Sequence, residues 1–146
     1  MLIIPAIDIQ DGCVVRLTQG ARDKRVYSRD PVKTAKHWLR QGAGLIHVVD
    51  LDGAFSGKPK NIDIVKRIVK ETKAAVQFGG GVRSIDMIKE LLGFGVQRVV
   101  LGTRAIEESS FLKQARLKFK DKIIVSIDAR DGRVLTKGWK SSSSGK

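Results

Sequence analysis

The sequence predicts an α/β fold built on a parallel sheet, folded as one domain over residues 1–146. Two observations carry that prediction. Short, β-branched apolar runs alternate with amphipathic segments four times before a fifth apolar run appears, which is a βα repeat. Within each run nearly every residue is apolar, as in strands covered on both faces, and such strands make parallel sheets. Right-handed crossovers would leave every helix outside the sheet if it curls, giving a TIM (β/α)8 barrel of which this chain holds the first four βα units plus strand five.

The strands are expected over Leu2 to Ile9, Leu45 to Leu51, Ala74 to Phe78, Arg98 to Leu101 and Ile123 to Ile127. Between them lie four helices. Asp30 and Pro31 supply an N-cap and a first-turn proline, Val32, Ala35, Trp38 and Leu39 share a face, and Gly42 ends that helix. Asn61 begins the second, with Ile64, Val65, Ile68 and Val69 at helical spacing. Ser84 caps the third, whose Ile85, Ile88, Leu91 and Leu92 face inward until Gly93 or Gly95 stops it. The fourth runs from Ser110 to about Lys118 on a weaker stripe of Leu112, Ala115 and Phe119. The closing WKSSSSGK reads as the loop after strand five with a serine ready to cap a fifth helix, or as a flexible tail.

The 146 residues are 42% hydrophobic and 5% aromatic with 15 glycines, a balance that suits one globular domain with many tight connections. Cys13 is single, so no internal disulfide forms, and it reads as an inert small hydrophobe; no apolar run approaches the length of a membrane span. The start MLIIPAIDIQ lacks a basic segment ahead of its apolar stretch, which Asp8 interrupts; a cytoplasmic protein beginning at Met1 is expected. The formal charge of +13 suits polyanions or a multiply phosphorylated small substrate. Much of it falls in VKRIVKETK and LKQARLKFKDK, which read as solvated helix faces. Base-stacking aromatic strands and zinc-ligand spacings are missing, so nucleic acid is the minority reading and no metal is expected.

Polar residues recur at the carboxyl ends of the strands, where α/β barrels assemble their sites. Asp8 ends strand one, Asp50 and Asp52 strand two, and Asp128 strand five. Gly79, Gly80 and Gly81 follow strand three directly before a helix, a loop whose backbone N–H groups can meet an anion unobstructed. Gly102 and Thr103 repeat the arrangement after strand four, so two adjacent loops form a candidate phosphate cradle. A carboxylate at the end of an apolar strand is either hydrogen-bonded structure or chemistry. On strands one and five, Asp8 and Asp128 would face each other across the barrel mouth, an arrangement suited to removing one proton while delivering another.

Together PAIDIQDGCVVRLTQG (Pro5 to Gly20), HVVDLDGAFSGKPKN (His47 to Asn61), QFGGGVRS (Gln77 to Ser84), VVLGTRA (Val99 to Ala105) and SIDARDGRVLTKGW (Ser126 to Trp139) resemble the phosphoribosylformimino-5-aminoimidazole carboxamide ribotide isomerases of histidine biosynthesis, along the whole chain. The resemblance implies an Amadori rearrangement of an N-linked aldose phosphate to an aminoketose, without redox or metal cofactor, on a bis-phosphorylated substrate. It implies that Asp8 is the base taking the C2 proton and Asp128 the acid protonating the ring oxygen. An acid working near neutrality must hold its proton while the base stays ionised, so a raised Asp128 and an ionised Asp8 are expected. It further implies that Gly81, Gly102 and Thr103, with Gly80 beside them, contact one phosphate, that Arg16 and Arg83 orient the substrate, and that Trp139 stacks on the imidazole or plugs a packing gap. His47 and Asp50 would support Asp8.

Length sets this chain apart from that family. A complete barrel takes roughly 250 residues, so Lys146 is not expected to be the natural end, and the second phosphate site of strands seven and eight is missing. A full-length barrel would be a monomer. This chain alone, with strands one and five as bare edges, is expected to turn over poorly and to self-associate. Competing readings are the cyclase subunit of imidazole glycerol phosphate synthase, an isomerase serving both histidine and tryptophan pathways, and a non-catalytic half-barrel that binds phosphate or nucleic acid.

Overall fold

A computed structural model of the chain describes residues 1–18, 23–130, 133–136 and 141–142. Five parallel strands form its centre: β1 (Ala6–Gln10), β4 (Ile46–Asp50), β5 (Val76–Gly79), β6 (Arg98–Leu101) and β7 (Ile123–Val125). Two more, β2 (Cys13–Thr18) and β3 (Asp23–Ser28), extend the sheet antiparallel beyond β1, so its order is β3-β2-β1-β4-β5-β6-β7. This is the α/β architecture of a partial barrel whose ends do not meet.

The hairpin corrects the expectation that strand one is a bare edge: β2 covers it, pairing Asp8 with Val15 and Gln10 with Cys13. Asp11 and Gly12 form the turn at φ 51° and 73°. That is an Asp-Gly pair with both residues left-handed, the geometry whose twist matches two antiparallel strands. The edges are β3 and, as expected, β7.

Helices α1 (Pro31–Arg40), α3 (Ile62–Thr72), α4 (Ile85–Gly93) and α6 (Ser109–Phe119) are the four expected ones, and short helices α2 (Leu51–Ser56) and α5 (Thr103–Glu107) intervene. Asp30 accepts the Lys33 N–H at 3.0 Å and Ser84 the Met87 N–H at 3.2 Å, each satisfying an N-terminal donor that the helix leaves open. Asn61 stands at the head of α3 without capping it, because its side chain is used elsewhere. Ser141 and Ser142 form β10 beside β9 (Arg133–Thr136), itself paired with β8 (Ala129–Arg130), so these serines lie in a small second sheet instead of capping a helix.

The core lies between the sheet and its helices. Alternation along the strands sends Ile7, Ile9, Ile46, Val48, Val76, Phe78, Val99 and Leu101 toward Ala35, Val65, Ile68, Ile88, Leu91 and Ala115, all fully buried. Each large side chain so buried contributes roughly 1.5–3 kcal/mol. Helix charges stay in solvent: Lys66, Arg67, Lys113, Arg116 and Lys118 are exposed. The opposite face of the sheet carries the alternate residues Asp8, His47, Val49, Gln77, Arg98 and Val100, all half-buried. Among the described residues no helix is long and apolar enough to cross a membrane.

Candidate functional site

A cavity of about 510 Å³ opens at the carboxyl ends of the parallel strands. Asp8, His47, Gly80, Gly81, Arg83, Gly102, Thr103 and Asp128 all line it, so eight of the residues singled out from sequence converge. Asp8 comes from β1 and Asp128 from the segment just past β7, with three strands between them, and the sheet curls enough to turn both into one space. Strand five ends at Val125, so Asp128 stands beyond it, exposed at the open side.

Three others are not among these. Arg16, on β2, is exposed and lines a separate hollow between the hairpin and α1, which it shares with Asp8. Trp139 lies outside the described residues. Asp50 points to the helix side of β4, since it alternates with His47 and Val49, and is fully buried. Its Oδ1 accepts from Gly53 N–H at 2.8 Å and Asn61 Nδ2 at 2.7 Å, and its Oδ2 from Lys60 N–H at 2.6 Å and Asn61 N–H at 2.9 Å. Four donors use the carboxylate fully, so Asp50 holds the loop after β4 and makes no hydrogen bond to Asp8. Asp52 extends the knot, its Oδ2 accepting from Asn61 Nδ2 at 2.9 Å and from Asp11 N–H at 2.8 Å, which ties the hairpin turn to the same loop.

The glycine triplet closes against that knot. A Cβ on Gly80, at φ 118°, would lie 2.2 Å from the Asp50 carbonyl oxygen, and one on Gly81, at φ 74°, would lie 2.6 Å from that of Gly53. Both positions are therefore closed to any side chain, whatever binds above them. Gly102 differs, its nearest neighbour for a Cβ being the Ser126 carbonyl oxygen at 3.9 Å.

Electrostatics divide the cavity. Burial pushes the Asp8 carboxyl above its usual value, and the Arg16 guanidinium opposes the shift. Asp8 sits inside the sheet between β2 and β4, which buries its carboxyl, whereas Asp128 is exposed to solvent. Burial also pushes His47 below its usual value, favouring the neutral ring, and His47 Nδ1 lies 3.1 Å from Gln77 Nε2. The other side of the cavity is cationic. Arg83 Nη2 bonds Glu107 Oε2 at 3.1 Å, and Arg104, which the sequence did not single out, pairs with Glu108 at 2.5 Å. Ser126 was missed as well, although it stands two residues before Asp128 at the end of an apolar strand. Among the described residues no three His, Cys, Asp or Glu side chains cluster closely enough to hold a metal ion.

The chain is similar to curated proteins from several bacteria, each named as an imidazole-4-carboxamide isomerase whose name carries two phosphoribosyl groups. The relative from Alkaliphilus metalliredigens is 50% identical over 145 residues, 99% of this chain and 61% of its own length. The one from Syntrophobacter fumaroxidans is 49% identical over 98% of this chain and 56% of its own length, and that from Persephonella marina is 50% identical over 94% and 57%. The chain thus spans about three fifths of the relatives it matches. The family model described as histidine biosynthesis protein matches residues 2–146, and the chain belongs to that family.

Proposed function

We propose that this chain carries the catalytic pair and one phosphate cradle of an isomerase that converts an N-linked, bis-phosphorylated aldose into the corresponding aminoketose in histidine biosynthesis. The observation that supports it most is convergence: Asp8, Asp128 and both glycine loops line a single cavity.

Asp8 takes the C2 proton. Its raised carboxyl makes it a stronger base, since a base is most effective when its pKa approaches the working pH, and Arg16 keeps the charged form accessible. Asp128 protonates the ring oxygen so that the sugar opens. The Gly80–Gly81 and Gly102–Thr103 loops hold one phosphate, Arg83 orients the substrate, and neutral His47 supports the Asp8 side of the cavity. No cofactor takes part in this scheme. That every relative named above is named as an isomerase favours this reading over the cyclase.

The test is a chain of barrel length, made by joining these residues to the part of the Alkaliphilus metalliredigens relative that they do not match, assayed on that relative's substrate. Asp8→Asn and Asp128→Asn should each lower kcat by at least ~100-fold with little change in KM, as for groups that act in the transition state. Retained kcat in both variants would remove the acid/base assignment. No turnover by the unsubstituted chain, if it folds, would remove the isomerase reading.

A further inference from the structure

Arg104 is the second residue of α5, directly after Gly102 and Thr103, and it lines the cavity. Its guanidinium is held on two sides: Cζ stands 5.5 Å from the centre of the Phe111 ring, and Nη2 meets Glu108 Oε2 at 2.5 Å. The ring face attracts the guanidinium and the carboxylate occupies one of its five N–H donors. Nε, by contrast, is buried and meets no acceptor among the described residues. A buried donor without a partner is destabilising, and an incoming acceptor relieves that cost.

Arg83 mirrors this arrangement. It follows the other glycine loop and is oriented by Glu107, the neighbour of Glu108. Two guanidiniums thus flank the two glycine loops, each steadied by one of two consecutive glutamates, while Asp8 and Asp128 form the anionic part of the same cavity. Turning Arg104 inward gives up only a partly exposed i,i+4 pair, its side chain being 32% exposed, and solvent screening leaves such pairs little stabilising effect. In return Nε–H and one Nη–H present the fork that matches two oxygens of a phosphate.

We infer that Arg104 is a phosphate-binding and specificity-determining residue: it bonds bidentately to the phosphate monoester that the Gly80–Gly81 and Gly102–Thr103 loops cradle, and Glu108 holds it ready when the site is empty. This rests on the functional reading above and deepens it, naming the cation that neutralises a phosphate otherwise met by backbone donors. The residue acts on ground-state binding, so it bears on affinity and not on proton transfer.

Ribose 5-phosphate titrated into the 146-residue chain, followed by phosphorus NMR with a thermal melt on each variant, tests it. Arg104→Met should weaken binding at least about tenfold, and Arg104→Lys, which keeps the charge without the fork, by about two- to fivefold. Glu108→Gln separates this from a structural role. It breaks the same ion pair but leaves Arg104 free, so binding should hold or tighten, whereas a residue that merely props α5 would show equal losses in Arg104→Met and Glu108→Gln. Unchanged binding in a folded Arg104→Met variant overturns the assignment while leaving the cradle intact. Absence of binding by the unsubstituted chain overturns the assignment together with the phosphate reading beneath it.

Discussion

The junctions after β5 and β6 look alike in sequence, a glycine-containing turn between a strand and a helix, yet they are glycine for different reasons. After β5, Gly80 and Gly81 are pressed against the backbone of Asp50 and Gly53, so the loop is one half of a packed knot whose other half is Asp50 with its four donors. After β6, Gly102 has open space beside it, and the charged residue that follows, Arg104, has a donor to spare. The first junction is rigid scaffold that also borders the cavity. The second, on the reading proposed above, is where the phosphate is met.

The largest effect should come from forcing a side chain into the knot. In Gly80→Ala the new Cβ meets a backbone oxygen at 2.2 Å, and φ stays near 118°, so neither rotation nor a flexible neighbour relieves it. A loss of about 3–5 kcal/mol in urea unfolding is expected, the range where backbone strain adds to a buried clash. A loss below about 1 kcal/mol would mean that the two loops part easily and that the contrast between the junctions is false.

The two neighbouring carboxylates sharpen the same contrast. Asp50 and Asp8 sit on adjacent strands, paired in register through Ile9 and Val49, but the Asp50 carboxylate is spent on hydrogen bonds and the Asp8 carboxyl meets no donor among the described residues. Burial raises its folded-state pKa above the ordinary aspartate value, so the folded chain binds this proton more tightly than the unfolded one. Its contribution to stability is therefore fully present below that pH and is lost as pH rises through the folded-state value. Asp8→Asn should remove that loss. The variant should be modestly more stable than the parent at pH 7, with no gain in strongly acidic solution, when urea midpoints are followed against pH. Equal midpoints at every pH would show that burial at Asp8 costs nothing and that the residue is not held in reserve for chemistry.

Much of this was legible in the residues, for identifiable reasons. The parallel strands and four long helices follow from periodicity, and Asp30 and Ser84 cap where their hydroxyl or carboxylate type suggested. Asp11-Gly12 was the missed hairpin signal: strand one was read as Leu2 to Ile9, and no strand was assigned to the residues just after that turn. Asn61 and Asp50 could not be separated from catalytic polar residues by sequence, since what decides their role is partners 9 to 11 positions away. Nor could the burial of the Asp8 carboxyl be read from sequence, because it depends on the strands that flank β1, and β2 was not foreseen.

Gly102→Ala tests the second junction, with the smallest expected cost in stability. A Cβ there reaches only ordinary contact distance from Ser126, so the fold should lose about 1 kcal/mol, the size of a typical substitution and well below the loss in Gly80→Ala. Gly102 lines the cavity beside Thr103, so on the proposed reading a methyl group there crowds a phosphate that the loop backbone must approach closely. Ribose 5-phosphate affinity should therefore fall several-fold in a protein whose melting point has barely moved. Should binding persist while stability drops as far as in Gly80→Ala, Gly102 is also a packing glycine, and the two junctions are the same device built twice.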